Sequence, residues 1–127
     1  MTGSEQFVPE ITLAAQAAAD KQGKQIVAFD VSEQLSITDI FLIVSASNER
    51  QVGAIVDAVE EALLTRKLKP VRREGDRENR WVLLDYLDFV IHIQHTEERS
   101  LYNLERLWKD CPQIPLQLDY TEADETA

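Results

Sequence analysis

The sequence predicts a small single-domain α/β fold, a mixed and mostly five-stranded sheet with helices packed on it. Three observations carry this. Segments of helical and strand periodicity follow in the order helix, strand, strand, helix, strand, strand, strand, helix, and helices laid over a mixed sheet are one of the few arrangements that close a core from such a set. Residues 40–44, Ile-Phe-Leu-Ile-Val, form a continuous apolar run, as an interior strand covered on both faces requires. Between Arg80 and Trp108 the apolar period passes from two to about 3.6, which marks a hairpin joined to a helix.

Residues 1–8 read as a flexible N-terminal tail. Pro9 and Glu10 suit the first turn of a helix, with Ile11, Leu13, Ala14, Ala17 and Ala18 on its apolar side and a stop near Gly23. Ile26 to Val31 is the first strand and Ser36 to Asp39 a turn. The second helix runs from Glu49 to about Arg66. Asn48 with Gln51 makes a capping box, and Val52, Ile55, Val56, Val59, Ala62 and Leu63 make the core stripe. Gly53 inside it costs about 1 kcal/mol relative to Ala, a cost that close packing would justify. Leu68, Pro70 and Val71 start a strand continuing toward Arg73, with Pro70 pointing to an edge position or to the strand's first residue, and Glu74-Gly75-Asp76 is its turn. The strands over 81–85 and 89–94 are separated only by Asp85-Tyr86-Leu87-Asp88, too short for anything but an antiparallel return. Thr96, or alternatively Ser100, caps a last helix carrying Leu101, Leu104 and Trp108. The first two strands can join parallel or antiparallel. Residues 9–118 form the domain, and 119–127, with four acids and no base, read as a disordered tail.

At 127 residues the chain can bury a core without metals or disulfides, and its one cysteine, Cys111, allows no internal disulfide. No apolar run approaches the roughly 20 residues of a spanning helix, and no signal peptide opens the chain, so a cytoplasmic protein is expected, with no membrane partner. The net charge of −10 argues against DNA and general nucleic-acid affinity. Residues 66–80 go the other way, with seven basic and three acidic side chains. They leave open a peripheral contact to a phosphate backbone or a charged, solvated turn.

Candidate catalytic groups are His92, His95, Asp85, Asp88, Asp30 and Asp39. The two histidines are three apart and fall on opposite faces of a regular strand, poor geometry for a shared metal. There is no Asp-x-Asp, glycine-rich phosphate loop or nucleophile elbow. Neither an enzyme, a cofactor nor a metal is expected. The hairpin instead raises a question of contact: Trp81 and Tyr86 have opposite parity, so both are core only if both sheet faces are covered, and either could anchor a partner.

Residues 30–32 (Asp-Val-Ser), 38–43 (Thr-Asp-Ile-Phe-Leu-Ile), Ser47 with Arg50-Gln51-Val52, Glu74-Gly75, 81–86 (Trp-Val-Leu-Leu-Asp-Tyr), 88–92 (Asp-Phe-Val-Ile-His) and Arg99 with 102–108 together resemble the ribosomal silencing factor family, RsfS or Iojap-like. The resemblance spans about Leu13 to Trp108. It departs at Ile40, Ala46, Leu87 and Gln94, where the family tends to have Tyr, Gly, Gly and Phe. It implies a nucleotidyltransferase-like fold without the catalytic acids. The expected function is non-enzymatic: a translation repressor that binds ribosomal protein L fourteen on the large subunit and blocks joining of the small subunit in nutrient limitation. A small RNA-binding module or a nucleotidyltransferase-like enzyme is the alternative. The resemblance also implies a homodimer when free. The contact surface it implies comprises Trp81, Leu83, Leu84, Asp85 and Tyr86, with His92 and Arg99 beside them.

Overall fold

The computed structural model describes residues 6–35, 38–75 and 77–118; expectations for 1–5, Ser36, Ile37, Asp76 and the acidic 119–127 lie outside the described residues. Five strands form one sheet in the order β1-β2-β5-β4-β3: β1 (Lys24–Asp30), β2 (Ile40–Ala46), β3 (Arg72–Glu74), β4 (Trp81–Asp85) and β5 (Phe89–His95). β1–β2, β4–β5 and β3–β4 are antiparallel, and the central β2–β5 pair is parallel, with Ile40 beside Phe89 and Ala46 beside His95. The sheet is therefore mixed, and the last three strands are the expected meander. The interior place of β2 follows from its unbroken apolar run.

Helices α1 (Val8–Asp20) and α2 (Glu49–Leu64) cover one face of the sheet. α1 buries Ile11 and four alanines, Ala14, Ala15, Ala18 and Ala19, so it approaches closely. The tail ends sooner than expected: Val8 is already helical, and the ring of Phe7 packs 5.9 Å from that of Phe89. α2 begins where the sequence places it. Asn48 Oδ1 accepts the Gln51 backbone N–H, while the Gln51 side chain accepts from Ser47 N and donates to the Lys21 and Gln22 carbonyls, tying the end of α1 to the start of α2. A Cβ on Gly53 would meet Asn79 Nδ2 at 2.8 Å, so the glycine makes room for the Asn79 amide.

The chain after β5 departs from expectation. The last helix is two short ones, α3 (Thr96–Tyr102) and α4 (Leu104–Leu107), broken by a left-handed Asn103 (φ 46°). Neither Thr96 nor Ser100 caps α3; His95 does, its Nδ1 accepting from Glu97 N at 3.1 Å. Leu101, expected in the core, is 73% exposed. Beyond α4 the chain returns along the outer edge of β1: Asp30 N–H donates to the Pro112 carbonyl and Ile114 N–H to that of Ala28. At the opposite edge lies β3, only three residues long, all exposed and all charged.

Candidate functional site

Strand parity divides the hairpin between two faces. Val82 and Leu84 of β4, Tyr86 just past its end, and Phe89, Ile91 and Ile93 of β5 enter the core beneath α1 and α2. Trp81, Leu83 and Asp85 point to the other face, which holds a smaller cluster of Phe29, Val31, Ile43 and Cys111, flanked by half-buried Phe41 and Trp108. Trp81, Leu83 and Asp85 are each half-buried.

The seven expected contact residues therefore separate. Trp81, Leu83 and Asp85 lie together, half-buried, on the face opposite α1 and α2. Leu84 is fully buried and Tyr86 is 7% exposed, its ring stacked on Phe89 at 5.1 Å, so both belong to the helix-covered core. The parity conflict between Trp81 and Tyr86 is resolved by burial of the tyrosine. Its hydroxyl has no partner among the described residues, and burial raises its pKa. His92 shares the face of Trp81 but lies behind it, 5% exposed. Arg99, equally buried, donates from Nε to Glu105 at 2.9 Å and from NH1 to Ser45 Oγ at 3.0 Å, fastening α3 and α4 to the end of β2. That guanidinium holds the Glu105 carboxyl below its ordinary range.

Around Trp81 the polar groups are engaged with one another. Its indole N–H donates to His92 Nδ1 at 3.1 Å. The imidazole meets Phe41 edge-on at 5.0 Å, and Phe41 meets Trp108 edge-on at 5.3 Å, so an aromatic row crosses β4, β5 and β2. Burial lowers the His92 pKa to about 4. Asp85 Oδ1 accepts the Leu87 backbone N–H at 2.8 Å and Oδ2 faces Arg72 at 3.6 Å, so this carboxylate first serves the turn. Phe41 and Trp108 were not legible as surface groups. A continuous apolar strand gives no sign of which side is covered, and Trp108 lies past the break at Asn103.

Arg80, immediately before Trp81, pairs with Glu49 at 2.7 Å and with Glu97 and Glu98 at 2.8 Å, joining the starts of β4, α2 and α3. The hydrogen bonds of Glu98 and Glu97 push its pKa up. Glu49 is held low by its backbone N–H and then by Arg80. Arg66 pairs with Glu10, Arg72 with Glu74 and Arg73 with Glu60. Four of the seven basic side chains in 66–80 are thus neutralised within the molecule, and the apparent basic patch is largely internal bracing.

Of the groups considered for catalysis, Asp30 Oδ1 accepts from the backbone and hydroxyl of Ser32, His95 caps a helix, and Asp39, just before β2, donates its backbone N–H to the carbonyl of Asp88 in the β4–β5 turn. Among the described residues no three His, Cys, Asp or Glu side chains form a metal-binding group, and no helix is long and apolar enough to cross a membrane.

Residues 4–127 match the family model described as ribosomal silencing factor during starvation. The ribosomal silencing factor RsfS of Halalkalibacterium halodurans is 38% identical over 107 residues, covering 84% of this chain and 92% of that protein. That of Bacillus subtilis is 38% identical over 102 residues, covering 80% and 86%. A crystal structure of a Chromobacterium violaceum protein superposes with a TM-score of 0.76 at 30% identity, covering 94% of this chain and 98% of that one. A small α/β domain with a mixed sheet agrees with those matches: the chain belongs to the ribosomal silencing factor family, non-enzymatic repressors of translation that act on the ribosome.

Proposed function

We propose that this protein docks on ribosomal protein L fourteen of the large subunit through the face of β4 opposite α1 and α2 and there blocks the approach of the small subunit when nutrients are short. One observation carries the reading: Trp81 and Leu83 stand side by side, half-buried, on the sheet face opposite α1 and α2. Tryptophan supplies a large contact area at little entropic cost and is enriched among residues that dominate binding energy. Asp85 borders this centre. Leu84, Tyr86, His92 and Arg99 support it from within rather than touch the partner. The acidic surface favours encounter with a basic ribosomal protein.

Exposed Lys67 and Lys69 would supply any peripheral contact to ribosomal RNA, since the neighbouring arginines are paired. The free protein acts in the cytoplasm as a homodimer, and light scattering with and without the isolated partner tests this. We further infer a sheet of nucleotidyltransferase type without its acids, supported by the mixed topology and the missing Asp-x-Asp; turnover of a nucleoside triphosphate would refute it.

The deciding experiment is co-sedimentation with purified large and small subunits, scored separately. The wild type should pellet with large subunits alone. Trp81→Glu should not pellet with either while keeping its circular dichroism spectrum, and undiminished pelleting of that variant would refute the docking assignment.

A further inference from the structure

We propose that His92 is the positioning residue of the docking face: its Nδ1 accepts the Trp81 indole N–H and holds the ring in the orientation that meets the partner. This rests on the docking role of Trp81 proposed above. His92 is 5% exposed and cannot itself be a contact of any size. It pairs across the strands with Leu83, while Trp81 pairs with Gln94, so the indole reaches diagonally over to the imidazole. The N···N distance is 3.1 Å and the ring centroids are 6.0 Å apart. On its other side Phe41, edge-on at 5.0 Å, backs the imidazole, and Trp108 backs Phe41.

The tautomer is what separates this role from plain packing. An imidazole that accepts at Nδ1 and is neutral carries its proton on Nε2. That N–H is buried and has no partner among the described residues, an uncompensated desolvation that a leucine or phenylalanine in the same space would avoid. The orphan donor is the consequence of presenting an acceptor to Trp81. Burial keeps the ring neutral, and hence an acceptor, throughout the physiological range.

Two properties of the docking face follow. The indole is ordered before the partner arrives, so less side-chain freedom is lost on binding. Its only donor is also already used, so the partner meets the carbon surface of the ring with apolar groups and needs no acceptor for Nε1.

Isotope-labelled full-length protein tests the bond directly. The wild type should show a ¹⁵N–¹⁵N coupling between Trp81 Nε1 and His92 Nδ1 and slow exchange of the Trp81 indole proton, the signal being the one missing from Trp81→Phe. His92→Leu should lose the protection and bind purified large subunits roughly three- to tenfold more weakly, and His92→Gln, which restores a neutral acceptor, should recover part of both. Absence of the coupling in the wild type overturns the proposal, as does a His92→Leu protein with a freely exchanging indole and undiminished affinity. Should His92→Leu fail to fold, the wild-type coupling and His92→Gln decide. If Trp81→Glu still pellets with large subunits, the docking reading fails while the hydrogen bond, read without ribosomes, stands.

Discussion

Tyr86 and His92 show how far single residues could be read from the chain. Their place in the hairpin was legible, because alternation fixes parity. Which parity met the helices was not, because β4 carries apolar side chains on both faces. Tyr86 lies in the core, its hydroxyl without a partner among the described residues. Tyr86→Phe is therefore expected to leave large-subunit binding unchanged and to raise stability by about 1 kcal/mol, measured by urea unfolding and co-sedimentation. His92 has a folded pKa of about 4 against an ordinary 6.5, so the unfolded chain takes the proton first. The stability of the neutral, buried ring is complete above pH 6.5 and falls as pH drops from 6.5 to 4, by about 3 kcal/mol in all. Urea unfolding at pH 7 and 4.5 should show a smaller loss in His92→Gln than in the wild type.

The elements flanking the proposed docking face are set by two turns of unusual backbone. Leu87 has φ 73°, and Asp88 N–H donates to the Tyr86 carbonyl at 2.9 Å, a γ-turn of the strained hand. Asp85 offsets part of that strain by accepting from Leu87 N. A glycine relieves it: Leu87→Gly should stabilise the protein by about 1 kcal/mol, read as a higher urea midpoint at unchanged slope. At Gly75, φ is 84° and an added Cβ would collide with the Trp81 carbonyl oxygen. Gly75→Ala must therefore displace the start of β4 and should cost roughly 2 kcal/mol or more while weakening large-subunit pelleting. The sequence showed both turns and the departure at Leu87. It did not show the His95 cap, since histidine is an uncommon cap, nor the break at Asn103, which stands within otherwise helical spacing.

At the scale of the whole molecule, the fold class, the interior position of β2 and the β3-β4-β5 meander were readable from period and turn chemistry. The charge layout was not, because pairing of residues 66–80 with acids on α1, α2 and α3 depends on contacts distant in sequence. The self-paired arginines lead us to expect no measurable binding to generic single-stranded RNA at physiological salt, by fluorescence anisotropy, while association with large subunits slows as salt rises because steering by the acidic body is screened. The two outer strands bear on a different hazard. An open sheet offers unpaired backbone at both sides and can grow by adding strands from other molecules. Here one side is occupied by the chain's own returning segment at Pro112 and Ile114, and the other is three charged residues long. A protein that presents tryptophan and leucine on one face can thus accumulate without polymerising edge to edge, and loss of the returning segment should make it aggregation-prone, read as light scattering that grows with concentration.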